Sequence, residues 1–165
     1  MAENEFLDLV GLLRANEVKF RLVPEQICGF SCGADLEWFV VRFTSSNANS
    51  VPDGRGVYAF VVDQTDIGLP PHGYVMYIGK AGDGRNTLRK RFKSYFQEKK
   101  RIKRPHIHLM LNQWEQVLSF YYAEINAPGI RLTDVEVALN DALLPPFSKN
   151  DFSASIRAAI NAFES

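Results

Sequence analysis

The chain has 165 residues, 46% of them hydrophobic and 12% aromatic, which is enough apolar material for a packed core and argues against disorder. No apolar run reaches the ~18 residues that a membrane-spanning helix needs, and the acidic residues 1–5 lack the positive charge that begins a signal peptide. We therefore expect a cytoplasmic protein with no membrane partner. The formal net charge is zero, which at first argues against a nucleic-acid partner.

The N-terminal third of the chain is predicted to form an extension. Residues 4–15 carry apolar side chains at the spacing of one helix face, and the apolar, aromatic residues 36–43 predict a short strand. Residues 44–55 are rich in turn-forming and polar side chains and are the best candidate for a linker. We expect an N-terminal extension of residues 1–50 and a main domain of residues 51–165.

Cys28 and Cys32 are the only cysteines, too few for a disulfide framework in a chain of this size. With three residues between them they could form half of a zinc site, for which His72, His106 or His108 would have to supply the other ligands. Because no second pair with metal-ligand spacing completes it, free or buried thiols are the preferred interpretation.

The main domain is predicted to contain both strands and helices. The predicted strands are residues 56–62, 74–79 and 118–125, with a loop over 63–73, and the predicted helices are residues 88–98 (after an N-cap at Thr87), 105–114, 133–144 and 153–163. The first two strands follow each other without a helix, so they should pair antiparallel. This order predicts an α+β fold, with a small, mostly antiparallel three-stranded sheet flanked by helices and an N-terminal helix and strand extension.

Positive charge is concentrated in one segment. Residues 80–104 contain eleven Lys and Arg against two acidic residues, a local charge of +9, whereas the rest of the chain carries −9. Such a segment suits a polyanion, because each basic side chain that meets a phosphate releases counterions. The alternatives are a solvated basic helix without a partner, or one that meets an acidic protein. The predicted nucleic-acid contacts are Arg89, Lys90, Lys93, Lys99, Lys100, Arg101, Lys103 and Arg104, with the loop 63–73 as a further candidate.

Two charged residues fall on helix faces that should point inward. Arg91 lies in the apolar stripe of the basic helix, and Glu136 lies in that of the later helix. A buried charge is costly unless it is paired or lines a polar pocket, so the two residues suggest one shared polar site. Each also has a structural interpretation. The stem of Arg91 could pack while its head reaches water, and Glu136 could close a capping box with Thr133.

These residues belong to a set that resembles the GIY-YIG nuclease family. The two tripeptides that name the family correspond to Gly56-Val57-Tyr58 and Tyr77-Ile78-Gly79, and Lys80 follows the second, as in several branches of the family. The family's helix arginine, ancillary tyrosine and metal-binding glutamate fall at Arg91, Tyr95 and Glu136. A single tripeptide is a weak signal, whereas this ordered set, spread over residues 54–152, is a strong one.

The resemblance implies a metal-dependent endonuclease that hydrolyses phosphodiester bonds in nucleic acid, with double-stranded DNA as the expected partner. It implies one Mg²⁺ or Mn²⁺ ion on Glu136 and a contact from Arg91 to the charge of the transition state. Tyr77 would orient water or phosphate, and Tyr95 would support the same network.

The proton acceptor that the resemblance implies is Tyr58, which would deprotonate the attacking water. A phenol has an ordinary pKa of about 10, so this role needs nearby positive charge to favour the phenolate. Lys80 is the candidate for that charge.

One position departs from the family pattern. Many members carry Pro-x-x-Asn after the glutamate helix, whereas this chain has Pro145-Pro146-Phe147-Ser148, with Asn150 two residues later. Either Ser148 or Asn150 could take the part of the asparagine. If neither does, the alternative is a catalytically impaired domain that acts as a nucleic-acid-binding module. Cutting both strands of DNA would need two active sites, and therefore a homodimer or two successive nicks.

Overall fold

The computed structural model of the protein describes residues 3–64, 72–82 and 84–164. Within them the helices are α1 Glu3–Ala15, α2 Pro24–Cys28, α3 Leu88–Glu98, α4 Pro105–Gln113, α5 Leu132–Leu143 and α6 Ala154–Glu164. The strands are β1 Phe39–Arg42, β2 Gly56–Gln64, β3 His72–Ala81 and β4 Leu118–Glu124, and short 3₁₀ helices occupy Ser45–Asn49 and Glu115–Val117. The predicted α+β class is confirmed. No helix in this described part of the chain is long and apolar enough to cross a membrane.

The strands form one antiparallel sheet in the order β1-β4-β2-β3, so it has four strands rather than the predicted three. The additional strand is β1, which was predicted as part of the extension. Its residues Val40 and Val41 pair with Tyr121 and Phe120 of β4. Strand β4 is bonded to β2 along one edge. Strand β1 therefore supplies hydrogen-bond partners for the backbone N–H and C=O groups along the other edge of β4. The sheet therefore spans the expected boundary between residues 50 and 51.

The predicted linker is packed against the domain. It contains a short 3₁₀ helix, and the side chain of Val51 is fully buried. The carbonyls of Pro52 and Gly54 accept hydrogen bonds from the backbone N–H groups of Arg89 and Leu88, at 3.0 and 2.9 Å. These N–H groups lie in the first turn of α3, where a helix has no partners of its own to offer. The segment therefore fixes the position at which α3 starts.

Helix α3 occupies the predicted residues, and its predicted N-cap is confirmed. The Thr87 side-chain oxygen accepts a hydrogen bond from the Lys90 N–H at 3.3 Å, and the same hydroxyl donates to Asp53. Because this cap satisfies a free N–H group of the first turn locally, the start of the helix is readable from the sequence.

Side chains of β2 alternate between the two faces of the sheet, as the two-residue repeat of a strand requires. Tyr58 and Phe60 point to the face covered by α3 and α4, where they join a core that includes Phe92. Val57 and Ala59 point to the opposite face, which α5 covers. The sheet thus lies between two helical layers, and Tyr58 is directed toward α3.

The predicted loop over residues 63–73 begins later and ends earlier in the structure. Strand β2 extends to Gln64 and β3 begins at His72, and these two residues are paired across the sheet. The rest of that prediction, residues 65–71, lies outside the described residues. Helix α1 was predicted, whereas the five-residue helix α2 was not.

We expect Gly56→Ala to destabilise the fold. Gly56 pairs with Glu124 of β4, and a Cβ at this position would overlap the carbonyl group of Ala123. Because the backbone of a central strand cannot move aside cheaply, the free energy of unfolding should fall by about 1–3 kcal/mol, the usual cost of overpacking. Urea-induced unfolding measures this loss.

Gly11→Ala is the matched control. Gly11 lies inside α1 with open space around it, so the same change should be neutral or should stabilise the protein by up to about 1 kcal/mol. If both variants are as stable as the wild type, the close approach of β2 and β4 at Gly56 is wrong.

Candidate active site

An arginine and two tyrosines form a hydrogen-bonded network between α3 and β2. Arg91 Nε donates to the Tyr58 hydroxyl at 3.0 Å, and the hydroxyls of Tyr58 and Tyr95 are 2.8 Å apart. Both tyrosines are fully buried. The guanidinium of Arg91 is therefore bonded to a buried partner and does not simply extend into solvent. This is what a polar site on the inward face of α3 requires.

The two tripeptides of the motif meet at one place in the sheet. Tyr58 of β2 lies opposite Gly79 of β3. A Cβ on Gly79 would come within 2.6 Å of Tyr58 Cζ, closer than two non-bonded carbon atoms approach. The glycine of the second tripeptide therefore makes room for the tyrosine of the first, whose hydroxyl can then reach Arg91.

Next to this network lies a cavity of about 300 Å³. Four of the predicted catalytic residues line it: Tyr77, Lys80, Arg91 and Glu136. The remaining lining residues are Ala81, Gly82, Asn86, Arg104 and Asp151. Tyr58 and Tyr95, the other two predicted catalytic residues, are buried behind Arg91 and are not among the lining residues. The two inward charges, from helices distant in sequence, thus share one cavity.

Glu136 is only 8% exposed and lines this cavity from α5. The capping-box alternative is wrong, because α5 begins at Leu132 with Arg131 at the N-cap, which makes Thr133 the second helical residue. The Thr133 hydroxyl instead accepts a hydrogen bond from Lys80 Nζ at 2.7 Å. Helix capping therefore does not explain why this carboxylate lies inside the protein.

The donor at Glu136 suits a hard divalent cation. Mg²⁺ is commonly held by one or two carboxylates and keeps several waters, which a buried carboxylate beside a cavity can accommodate. Among the residues that the structure describes, no group of three or more His, Cys, Asp or Glu side chains is placed to hold a metal ion. Cys28 is exposed, and the Cys32 thiol donates to the carbonyl of Ala34. The residues fit Mg²⁺ or Mn²⁺ better than a zinc ion held by protein ligands alone.

Arg104, predicted as a nucleic-acid contact, lines the cavity. Its guanidinium carbon lies 5.5 Å from the ring centre of Tyr95, and it is ion-paired with Glu98 at 3.1 Å. Partial burial acts to lower the pKa of Arg104, but the effects of Tyr95 and Glu98 are larger together and raise it above its ordinary value. The side chain therefore keeps its charge. Arg91 lies 5.7 Å from the same ring, so Tyr95 supports two guanidinium groups.

Asp151 lines the cavity although it was not predicted as a site residue. It follows α5 in a segment that is bonded to the outer edge of β3. The Phe147 N–H donates to the Met76 carbonyl at 3.0 Å, and the Ile78 N–H donates to Ser148 Oγ at 3.5 Å. These bonds carry the chain along the strand toward the cavity. The segment lacks helical or strand periodicity, so no sequence pattern indicated where its side chains point.

The two candidates for the missing asparagine, Ser148 and Asn150, both lie outside the cavity that contains Glu136. Ser148 is buried and bonded to β3, the strand that carries Tyr77. Asn150 is exposed, and its carbonyl accepts a hydrogen bond from Arg157. Both residues line a second cavity. Neither residue lines the candidate site itself, and of the two only Ser148 is bonded to the strand that carries Tyr77. The only sequence signal for Asp151 was its position directly after Asn150.

The basic segment exposes fewer free charges than its composition suggests. Three of the predicted nucleic-acid contacts bond within the fold, Arg89 to the carbonyl of Val51, Lys90 to that of Arg85, and Lys99 to the carboxylate of Glu115. Four further ones are exposed: Lys93, Lys100, Arg101 and Lys103. These four lie on α3 and in the segment between α3 and α4.

Burial acts against ionisation of the two motif tyrosines. It raises the pKa of Tyr58 well above its ordinary value, the neighbouring Tyr95 and Tyr77 add to this effect, and Arg91 only partly offsets it. Burial also raises the pKa of Tyr77, again with Tyr95 and with Asp151. The structure thus opposes the phenolate that the family resemblance implies for Tyr58.

Comparison with known proteins assigns no family: no family model matches the chain, and neither the curated proteins nor the solved structures contain a significant match. The resemblance to GIY-YIG nucleases therefore rests on the residues of the motif and on their arrangement around the cavity.

We expect Tyr58 and Tyr95 to be energetically coupled. Tyr58→Phe and Tyr95→Phe each remove one hydroxyl of a buried pair and leave the other with one partner fewer, at a cost of about 1–3 kcal/mol each. The double variant should lose less than the sum, by roughly 0.5–3 kcal/mol. Urea-induced unfolding of the three variants measures the coupling. Tyr74→Phe, on the 43% exposed tyrosine of β3, is the control and should be neutral. Strictly additive losses would contradict the hydrogen bond.

Alkaline pH should unfold the protein before Tyr58 and Tyr77 ionise. Their pKa values are raised in the folded state, whereas in the unfolded chain they titrate near the ordinary value of about 10. The folded state therefore holds these protons more tightly. Its stability is fully present below pH about 10 and falls as the pH rises further, by up to ~1.4 kcal/mol per pH unit for each tyrosine.

Tyrosinate absorbance, followed together with circular dichroism, measures this coupling of ionisation to unfolding. Tyr77→Phe should reduce the dependence of stability on pH by the share of one tyrosine. Ionisation of all six tyrosines of the chain while the circular dichroism stays native would show that the prediction is wrong.

Proposed function

We propose that the protein is a metal-dependent endonuclease of the GIY-YIG type, which hydrolyses phosphodiester bonds in nucleic acid and has double-stranded DNA as its substrate. The observation that carries the proposal is the presence of Arg91 and Glu136 in one cavity, from two helices far apart in the sequence. Tyr77 and Lys80 line the same cavity. A guanidinium, an ammonium, a phenol and a buried carboxylate together match the requirements of phosphodiester hydrolysis.

Arg91 binds the scissile phosphate in this proposal and stabilises the charge of the transition state. Its Nε is engaged by Tyr58, so its two terminal nitrogens supply the donors for phosphate oxygens. A donor held in advance costs no reorganisation when charge develops, which is the source of its effect on rate. Tyr58 and Tyr95 serve as positioning residues, because they act on the phosphate through Arg91.

Glu136 would hold the divalent cation, which when bound supplies positive charge to the phosphate and to the leaving oxygen. Lys80, whose ammonium is bonded to the Thr133 hydroxyl, adds a fixed positive charge at the same cavity. Tyr77 keeps its proton at neutral pH, since a phenol has an ordinary pKa of about 10 and burial raises the pKa of Tyr77 further. It therefore donates a hydrogen bond to a phosphate oxygen or to the attacking water.

The exposed lysines and arginines of the basic segment support a polyanionic substrate, for which we propose DNA. Lys93, Lys100, Arg101 and Lys103 would meet backbone phosphates and carry no sequence information by themselves. The proposal includes a cytoplasmic location. A cut through both strands requires either two copies of this chain or two successive nicks.

A nucleic-acid-binding module that does not cut is the second candidate. Two observations favour it: Ser148 stands where many family members have asparagine, and Tyr58 is buried away from the cavity. The same basic surface would then serve binding alone. This candidate predicts DNA affinity that falls with rising salt and no cleavage in the presence of Mg²⁺.

Nicking of supercoiled plasmid separates the two candidates. We expect the wild type to nick DNA in Mg²⁺ and to stop when EDTA is added. Glu136→Gln keeps the size of the side chain but removes its charge, so it should abolish nicking without unfolding the protein. Arg91→Ala should slow nicking about 10²–10³-fold, the usual effect of losing a transition-state donor. Glu37→Gln, on an exposed residue outside the site, is the control and should be fully active.

Binding at several salt concentrations completes the test. Lys100→Glu with Lys103→Glu should weaken DNA binding and reduce the slope of log affinity against log salt by about 2, whereas Lys19→Glu, on an exposed lysine after α1, should have no such effect. Salt-dependent binding without nicking would replace the nuclease by the binding module. Full activity of Glu136→Gln would remove Glu136 from the site.

A further inference from the structure

A water that attacks a phosphodiester must lose a proton, and the cavity needs a group to receive it. Tyr58, the acceptor that the family implies, is fully buried and is not among the residues that line the cavity. Tyr77 lines the cavity, but burial raises its pKa, so it holds its own proton. The guanidinium groups of Arg91 and Arg104 cannot accept a proton, and Lys80 is engaged as a hydrogen-bond donor to Thr133. Two carboxylates remain, those of Glu136 and Asp151.

Asp151 is held from both sides along the chain. Before it, the Ser148 side-chain oxygen accepts a hydrogen bond from the Ile78 N–H of β3. After it, the Ser153 N–H donates to a carboxylate oxygen of Asp141 in α5 at 2.9 Å. The half-buried Asp151 is thus fixed between the sheet and α5, as a group that must meet one particular water requires.

The charges around Asp151 differ from those of an ordinary surface aspartate. Arg104, Arg91 and Lys80 act on it electrostatically and favour its charged form. Burial raises the pKa of Asp151 by more than these three residues lower it, so its carboxylate is a stronger base than an exposed one. Because the proposed function assigns Glu136 to the cation, Asp151 is the carboxylate of the cavity that remains to accept a proton.

We propose that the carboxylate of Asp151 receives the proton of the attacking water, an inference that rests on the proposed nuclease function. As the water oxygen bonds to phosphorus, the electron pair of its O–H bond stays on that oxygen and the proton passes to a carboxylate oxygen of Asp151. The bond from phosphorus to the leaving sugar oxygen breaks with its electron pair on the sugar oxygen, which takes a proton from solvent. Asp151 then returns its proton to solvent, and one water is consumed for each bond cut.

Single-turnover cleavage of supercoiled plasmid in saturating Mg²⁺ tests the role. Asp151→Asn keeps the shape of the side chain and removes its basicity, so it should cut about 10²–10⁴-fold more slowly than the wild type. Its affinity for the plasmid, measured in EDTA, should be unchanged. Asp134→Asn is the matched control, because Asp134 is an exposed carboxylate in the first turn of α5, and it should cut at the wild-type rate.

A second variant separates base catalysis from a purely structural role. In Asp151→Ala the missing side chain leaves space in the cavity, so added formate should restore part of the cleavage rate, whereas chloride at the same ionic strength should not. Urea-induced unfolding of both variants establishes that they fold. Absence of formate rescue in a folded Asp151→Ala protein would overturn the proposal.

Three other outcomes are distinguishable. Cleavage by Asp151→Asn within about threefold of the wild type would overturn the role of Asp151 and leave the nuclease function intact. Recovery of Asp151→Asn by raising the Mg²⁺ or Mn²⁺ concentration would make Asp151 a cation ligand and would also overturn the proposal. A wild-type protein that binds plasmid but does not nick it would overturn the nuclease function itself.

Discussion

The hydrogen bond from Arg91 to Tyr58 crosses the interface between α3 and the sheet, and its Tyr58 end is fully shielded from water. A guanidinium on an inward helix face is costly to desolvate, and a bond from a charged donor, worth roughly 1.5–3 kcal/mol, offsets part of that cost. The bond has a geometric condition: Tyr58 reaches Arg91 only because Gly79 leaves its ring room on the neighbouring strand. The position of the guanidinium at the cavity therefore depends on two strands as well as on its own helix.

This constraint changes the meaning of the motif. Tyr58 and Tyr95 lie in a dry layer beneath the cavity, and their effect on a substrate would pass through Arg91. The groups that line the cavity and could meet a phosphate or a water directly are Tyr77 and Arg91, together with Glu136 on α5 and Asp151 beyond it. A network that is buried and fully hydrogen-bonded gives the precise placement that a catalytic donor needs, whereas solvent-facing groups retain the freedom to exchange protons.

The elements of the fold could be predicted where their signals are local in sequence, whereas contacts between distant segments could not. Helix α3 was readable because its apolar stripe and the Thr87 cap are both local. The capping box at Glu136 failed because α5 starts one residue before Thr133, a shift that changes the role of every residue in the first turn. The membership of β1 in the sheet depends on the open side of β4, which is distant in sequence. Asp151 could not be inferred because its segment has no period, so its direction is set by bonds to elements distant in sequence, such as β3.

The segment that follows α5 covers the outer edge of β3 and brings Asp151 to the cavity. The residues of the site are therefore synthesised in a fixed order. A ribosome makes the basic helix α3 well before it makes Glu136, and Asp151 comes later still. A growing chain can thus present positive charge to nucleic acid while its cavity lacks both carboxylates. In a protein that cuts nucleic acid, a partly made copy would therefore carry the binding charges before it carried the carboxylates of the cavity.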